Sequence, residues 1–276
     1  MVKEKRPLNV GLIGTGNMGG ALATAVNKGA SDVRLLLTDH DQRKATQLAL
    51  RLGRRAIVMD VAAVIAQSDY LFLGVKPQAL PELMAAVRPM LAERLMPPVL
   101  VTMAAGVSVA RLTELLGITC PTIRIMPNTP VAVGEGVVLY AGANGINTDQ
   151  LEQFCLLLGA AGRLASVPER LIDAGCALSG CGPAFAYLFI EGLADGAVEC
   201  GLPRQVATEL AAQTVLGAAK MVLSTGRTPG ELKDAVCSPG GTTICGVHAL
   251  ERAGLRCAAM DAVAAAYEKT CKMAKE

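Results

Sequence analysis

Through the first 168 residues, short and nearly continuous apolar runs alternate with stretches whose apolar positions recur every three or four residues. Leu8 to Ile13, Val33 to Thr38, Ala56 to Met59, Tyr70 to Val75, Val99 to Thr102 and Thr122 to Ile125 read as strands. Asn17 to Lys28 and Asp41 to Leu52 read as the helices that join the first of them. Strands apolar at almost every position have both faces covered, and alternation with helices implies parallel pairing. The series therefore predicts a doubly wound parallel sheet. Gly136 to Ala141 and Arg163 to Val167, separated by a helix near Asp149 to Leu158, extend that sheet. After Pro168 the strand pattern stops. Ala-rich helical patterns take over at Phe185 to Cys200, Arg204 to Leu223, Thr242 to Arg252 and Arg256 to Lys275, with Pro203 and Gly226 bracketing the second. The expected fold class is α/β, with a doubly wound domain over 1–168 followed by an all-α domain over 169–276.

Composition removes several function classes. Hydrophobic residues at 52% and charged residues at 18% supply a large core and exclude disorder. A mean hydropathy of +0.41 raises the question of a membrane. The charge-free stretch between Asp173 and Glu191 holds 17 residues, at the short limit for a span, and Gly175, Gly180, Gly182 and Pro183 punctuate it too heavily to favour one. A net charge of +2, 3% aromatics and no Trp leave neither a basic field nor stacking platforms, so no nucleic-acid partner is expected. The nine cysteines are odd in number and form no C-x-x-C, and His40 and His248 are the two histidines, so no metal site is read. The thiols read as reduced, small, buried apolar residues. The opening MVKEKRPLN has no apolar signal core, which points to the cytoplasm.

Chemistry enters where the first strand ends. Ile13 runs into Gly14-Thr15-Gly16-Asn17-Met18-Gly19, and a helix follows. Gly14 permits a tight turn, Gly16 lets a pyrophosphate approach the backbone, and Gly19 allows close helix–strand packing, as in a Rossmann-type dinucleotide loop. The bare N–H groups of the helix then receive the phosphates. Its place after a strand and before a helix makes this loop far more specific than a lone glycine motif. Thr38 and Asp39 close the second strand, where an acidic side chain bonds the ribose 2′-hydroxyl of NAD. His40, Arg43 and Lys44 follow and can neutralise the 2′-phosphate of NADP, while a solvated turn capped by Asp41 is a third reading. NADPH and NADH both stay open. Val75-Lys76-Pro77 and Ala104-Ala105-Gly106 lie beyond later strands, where open α/β sheets bind ligands. Lys76 reads either as part of this site or as an ordinary surface lysine.

A second anion nest is Ser238-Pro239-Gly240-Gly241-Thr242-Thr243, ahead of the helix that carries His248 and Glu251. Flexible glycines, bare helix N–H groups and nearby hydroxyls suit a substrate carboxylate, and a hydroxyl in the first turn can donate to a reacting atom. The plainer reading is an N-cap serine, a helix-starting proline and loop glycines.

Taken together, these segments resemble pyrroline-5-carboxylate reductase. The resemblance rests on Gly11 to Gly19, Val75-Lys76-Pro77, Ala104-Ala105-Gly106, Arg124 to Pro130, Leu178 to Phe185 and Ser238 to Thr243, in that order, and covers about residues 8–270. Two positions depart from the family's usual residues: Cys181 stands in place of Ser, and Phe185 in place of Tyr. The resemblance implies an N-terminal Rossmann domain and a C-terminal dimerisation domain with interlocked helices, rings of five dimers being a larger assembly of the family. It implies reduction of Δ1-pyrroline-5-carboxylate to L-proline, the last step of proline biosynthesis, by NADPH or NADH. Thr243 matches the threonine that bonds the ring nitrogen and is the candidate catalytic residue. Ser238, Gly240, Gly241 and Thr242 are candidate substrate residues. Glu169 falls at a substrate-side position, although an acidic residue opening a helix is also explained by the helix dipole.

Two rivals are weighed against this. The first is another hydride-transfer enzyme, a β-hydroxyacid dehydrogenase or related imine reductase; hydroxyacid enzymes of that type need a lysine on the long interdomain helix to move the alcohol proton, and Ser179 to Glu199 contains no lysine or arginine. A nucleotide sensor without turnover has no use for the second anion nest.

Overall fold

The computed structural model describes residues 6–273. Met1 to Lys5 of the N-terminal leader, and Lys275 at the expected end of the last helix, lie outside the described residues. The chain runs β1 (Leu8–Ile13), α1 (Asn17–Gly29), β2 (Val33–Thr38), α2 (Gln42–Leu52), β3 (Ala56–Val58), α3 (Val61–Gln67) and β4 (Tyr70–Leu73). It continues through α4 (Leu80–Ala92), β5 (Val99–Thr102), α5 (Val109–Leu116), β6 (Thr122–Pro127), β7 (Gly136–Ala143), α6 (Thr148–Leu157) and β8 (Gly162–Ser166). Local caps set several helix starts: the side chains of Asp41, Asp60 and Ser108 accept from backbone N–H groups of α2, α3 and α5.

The strands form one sheet in the order β3-β2-β1-β4-β5-β6-β7-β8. β1 to β6 are parallel, as the apolar runs predicted. β7 and β8 extend the sheet as expected, with β7 antiparallel to β6 and β8 parallel to β7. Residues 128–135 between β6 and β7 hold only a 3-10 turn, Thr129–Val133. A parallel return needs a crossover of roughly a dozen residues or more. Alternate strand residues face opposite ways: Leu12, Leu35, Leu37 and Phe72 pack under α1 and α6, while Leu36, Leu71, Leu73 and Leu100 pack under α3, α4 and α5. Burying each such side chain contributes about 1.5–3 kcal/mol, which is why both sheet faces are apolar.

The sequence pattern did not disclose α3, α4 and α5. α3 is almost wholly apolar and so has no polar face to give a period, and α4 carries Pro89 in its interior. β4 ends at Leu73, two residues short of the expected Val75, and releases Gly74 and Val75 to a loop.

Beyond β8, α7 (Ile172–Gly175) passes through a π turn, Cys176–Gly180, into α8 (Gly182–Glu199). α9 (Arg204–Thr225), α10 (Pro229–Val236), α11 (Thr242–Arg252) and α12 (Leu255–Met273) follow. α9 begins after Pro203 and ends at left-handed Gly226, as read. α10 was not expected; a Thr228–Glu231 capping box starts it.

The chain divides into two compact units, one reaching Gly180 and joined by the stretch from Tyr267, the other Cys181–Ala266. In the second unit α8 packs on α9 around buried Ala194, Ala207 and Ala211. Leu188, Leu210, Leu216, Met221, Leu223 and Met260 stay exposed. The helical run Glu169–Glu199 and α9 are long and apolar enough to cross a bilayer by length and composition. This corrects the length argument above, because the helix continues well beyond the charge-free stretch. The cysteines also differ from expectation: Cys120 is buried, but Cys200 just past α8, Cys245 on α11 and Cys257 on α12 are exposed.

Candidate functional site: a dinucleotide groove and a helix-N-terminal nest

The β1–α1 loop is built by three close backbone contacts. Gly14 has φ +96°, a left-handed value that excludes a Cβ on steric grounds. A Cβ on Gly19 would sit 2.1 Å from the Gly14 carbonyl oxygen, and one on Gly74 would sit 2.5 Å from it. Gly16 differs from these: a Cβ there would meet nothing within 4 Å. It is the N-cap of α1, and neither a side-chain cap nor an acidic residue occupies the first turn. The free N–H groups and the positive helix end therefore face open space of the kind a pyrophosphate fills.

A groove of about 700 Å³ opens in front of this loop, lined by Gly16, Asn17, Met18, Val75, Lys76, Pro77 and Ala105 from the sequence-predicted set. Thr15 lines an adjoining groove between α1 and α2. The remaining predicted residues support the site from behind. Ile13, Thr38 and Ala104 are buried, the Thr38 carbonyl accepts from the Gly14 N–H at 2.9 Å, and Gly106 turns the chain with φ +73°. Sequence reasoning missed Gly74, whose N–H donates to the Ile13 carbonyl at 2.8 Å, and the wall formed by Met103, Met126, Pro127 and Thr129. The signal was present. Met126 and Pro127 end β6 on the same sheet edge as the other loops, but no role was read from them.

Asp39 works inside the protein. Its Oδ2 accepts from the Thr15 N–H at 2.6 Å and from the Thr15 hydroxyl at 2.9 Å, and its Oδ1 accepts from the Asp41 N–H at 3.0 Å. Burial pushes the carboxyl pKa up, but the Thr15 and Asp41 N–H groups, the Thr15 hydroxyl and nearby His40 outweigh burial and hold it below the ordinary value. The carboxylate thus fixes Thr15 and with it the glycine loop. Arg43 turns back onto Asp41, with Nε and Nη2 donating at 3.0 and 3.1 Å, whereas Lys44 faces the groove.

Glu169 is engaged structurally as well. Its Oε1 accepts from the Val109 N–H at the start of α5 at 2.7 Å and lies 3.4 Å from Arg124 Nη1. The same guanidinium donates to Asp173 at 2.6 Å, and Arg124 is buried on β6. The network ties α5, β6 and α7 together, which is a different employment from the expected substrate contact. Asn128 makes a parallel tie: its side chain accepts from the Val137 N–H at 2.8 Å and donates to the Ser179 carbonyl in the π turn at 2.9 Å.

In the helical unit, Gly240 has φ +65° and the Gly241 N–H donates to the Ser238 carbonyl at 3.0 Å. A Cβ on Gly241 would lie 2.3 Å from Ser238 Oγ and 3.1 Å from the Ser238 carbonyl oxygen, so a larger residue there would push the Ser238 side chain aside. Gly241, not Ser238, is the N-cap of α11, and it brings no side-chain cap and no acidic first turn. The capping explanation of Ser238 is thereby removed. Thr242 and Thr243 are exposed on the first turn beside bare N–H groups. The described residues contain no cluster of three or more His, Cys, Asp or Glu placed to hold a metal.

Comparison with known proteins gives both halves a family. Residues 169–273 match the family model described as pyrroline-5-carboxylate reductase dimerisation, and residues 9–106 match the one described as NADP oxidoreductase, coenzyme F420-dependent. The chain is 41% identical to the pyrroline-5-carboxylate reductase of Methanosarcina acetivorans, over 97% of this chain and 98% of that protein. It is 39% identical to the enzyme of that name from Arabidopsis thaliana, over 96% and 95%. Among solved structures, the pyrroline-5-carboxylate reductase of Coxiella burnetii superposes with a TM-score of 0.88 at 29% identity, covering 97% of this chain and 98% of that one. The Plasmodium falciparum pyrroline carboxylate reductase with NADP bound gives 0.84 at 29% identity, with the same coverage. A match that runs from end to end, through the glycine loop and the helical half alike, makes this chain a member of the pyrroline-5-carboxylate reductase family.

Proposed function

We propose that the chain reduces Δ1-pyrroline-5-carboxylate to L-proline, with Thr243 as the catalytic residue and the Gly240–Thr243 turn as the substrate carboxylate site. The observation that carries this reading is the pair of uncapped helix N-termini, at Gly16 and at Gly241, each without an acidic residue in its first turn. The first suits the pyrophosphate of a dinucleotide and the second a small carboxylate.

The cofactor is NAD(P)H, which when bound supplies the hydride that reduces C5 of the imine. Gly16 and the N–H groups of α1 would hold the phosphates, with Gly14 making the turn and Asp39 fixing Thr15 beneath them. Val75 to Pro77 and Ala105 shape the groove wall that would receive the reactive ring. Backbone N–H groups of the first turn from Thr242, with the Ser238 hydroxyl, would hold the substrate carboxylate, while the Gly241 N–H closes the turn onto the Ser238 carbonyl. The Thr243 hydroxyl bonds the ring nitrogen and fixes C5 for attack. A protonated imine is already a good acceptor, so no strong general acid is needed. Alignment of this kind accounts for on the order of 7–11 kcal/mol of barrier. Glu169 enters as a residue that fixes α5, and its substrate contact is not part of the proposal.

We take 1–168 as the dinucleotide domain and 169–276 as the helical domain, a division supported by the end of the strand pattern at Pro168 and by the family match from 169. Self-association through the dimerisation domain covers the apolar faces of α8, α9 and α12, which supports a dimer with interlocked helices, and rings of five dimers as the larger assembly. Their length and apolarity then reflect a protein–protein surface rather than a bilayer, consistent with a cytoplasmic enzyme. Turnover is tested by following NADPH and NADH absorbance with Δ1-pyrroline-5-carboxylate, parent beside Thr243→Val. The variant should lose kcat/KM by about a hundredfold, the scale of one well-placed donor, with cofactor affinity unchanged. Equal turnover by parent and variant would remove Thr243 from its role.

A further inference from the structure

Among the described residues two charged side chains are buried, Asp39 and Arg124. Asp39 holds the glycine loop after β1. Arg124 stands beside the loop after β5, whose Met103 and Ala105 line the groove. In the register of β5 and β6 it pairs with Thr102, the last residue before that loop, and register partners on neighbouring strands face the same side of the sheet. At the far end of the loop, Glu169 Oε1 accepts from the Val109 N–H at 2.7 Å and lies 3.4 Å from Arg124 Nη1. Arg124 Nη2 donates to Asp173 Oδ1 at 2.6 Å, which pins α7. Ile172, beside Asp173 on α7, is buried in one cluster with the groove residue Met126, and Ala105 packs against that cluster. One guanidinium therefore stands at both ends of the loop and holds the surface behind it.

Stability is a poor account of this arrangement. A buried ion pair adds little net stability, because desolvation offsets the attraction. Here the offset is larger still: Arg124 Nε and the Thr102 hydroxyl are buried without a hydrogen-bond partner among the described residues. What a guanidinium held by two carboxylates does supply is direction, since its donors lie in a rigid planar fork. A ring resting on this wall is only as well placed as the wall, and a misplacement of about 1 Å at the reacting atoms costs about a hundredfold in rate.

We infer that Arg124 is a positioning residue for hydride transfer: through Glu169 and Asp173 it fixes the Met103–Gly106 loop that receives the nicotinamide ring. The inference rests on the hydride-transfer reading above and deepens it. The test compares the full-length parent with Arg124→Met, Arg124→Lys, Glu169→Gln and the double variant Arg124→Met/Glu169→Gln, in steady-state reduction of Δ1-pyrroline-5-carboxylate and in titration with the reduced cofactor. Arg124→Met should lower kcat by about tenfold or more through lost alignment. Its cofactor Kd should stay within about threefold of the parent's, because the glycine loop holds the phosphates. Arg124→Lys should recover part of the kcat, since an ammonium can hold one carboxylate but lacks the fork. The double variant should be slower than the slower single by no more than about twofold, as for groups acting through one contact. Where Arg124→Met does not fold, Glu169→Gln carries the same test, because its amide oxygen keeps the Val109 contact and loses only the charge facing Arg124. Parental kcat in the folded variants, losses that multiply in the double variant, or a fall in kcat matched by the same fall in cofactor affinity would overturn the inference. Fluorescence anisotropy of the bound reduced nicotinamide reads the ring without turnover: it should drop in Arg124→Met, as a loosened ring reorients on the ps–ns scale, and an unchanged value would overturn the inference. A parent that binds the cofactor without reducing Δ1-pyrroline-5-carboxylate overturns the proposed reaction instead, while the anisotropy difference still decides whether Arg124 places the ring.

Discussion

Replacing Asp39 with Asn separates the two uses of this residue, because the change is nearly isosteric and removes one acceptor oxygen and the charge. In the parent, Oδ2 takes two donors from Thr15 at 2.6 and 2.9 Å, and Oδ1 takes the Asp41 N–H at 3.0 Å. An amide cannot satisfy both sides. If its oxygen keeps Thr15, its NH2 faces the Asp41 N–H; if it keeps Asp41, the buried Thr15 N–H is orphaned. An unsatisfied buried donor costs about 1–3 kcal/mol, and the remaining bonds lose their charge assistance. The expected loss is about 2–4 kcal/mol, or about 5–15 °C in Tm for a chain of this size. Thermal unfolding of the apo protein reads it directly, and calorimetry should show NADH and NADPH affinities falling together, because the loop that holds the phosphates is what loosens. The acid limb adds a signature. Asp39 has a depressed folded-state pKa, so its stabilisation is present above its unfolded value of about 3.9 and disappears as pH falls through the folded one. The gap between parent and variant should be constant near neutrality and narrow below about pH 4. An unchanged apo Tm with NADH affinity alone reduced would refute the reasoning and return Asp39 to the ribose.

Two further predictions follow from packing. Gly74→Ala drives a Cβ to 2.5 Å from the Gly14 carbonyl, a backbone atom that cannot swing aside, so the glycine loop must move; cofactor affinity should fall by about tenfold or more, the effect of losing roughly one charge-assisted bond, and an unchanged Kd by fluorescence titration would show that the loop tolerates the shift. Leu188→Glu places a charge on the exposed apolar face of α8, and sedimentation at micromolar concentration should shift from dimer toward monomer. A variant as dimeric as the parent would take that face out of the interface.

Much of the fold was legible because its determinants are local. β1, β2 and α11 lie where the pattern put them, and the Gly14-x-Gly16 spacing after an apolar run specifies both the turn and the bare helix end. Antiparallel β7 was not legible from its own residues, since a strand's apolar run says nothing of direction and the information lies in the shortness of the 128–135 link. α3 was hidden because seven residues that are all apolar but Gln67 carry no polar face to mark a period, although only Val64 and Ile65 are buried.

At the site the division is similar. The sequence by itself determined the glycine loop and the second turn, because φ values above zero and a missing Cβ are properties of glycine wherever it stands. The tertiary structure alone decided what the charged groups do. Asp39 and Glu169 read as ligand contacts, yet the fold turns Asp39 onto Thr15 and Glu169 onto Val109 and Arg124, while Arg43 is drawn to Asp41 and Lys44 is left facing the groove. A side chain's chemistry is written in the sequence, but its partner is whichever group folding brings within about 3 Å, the reach of a hydrogen bond.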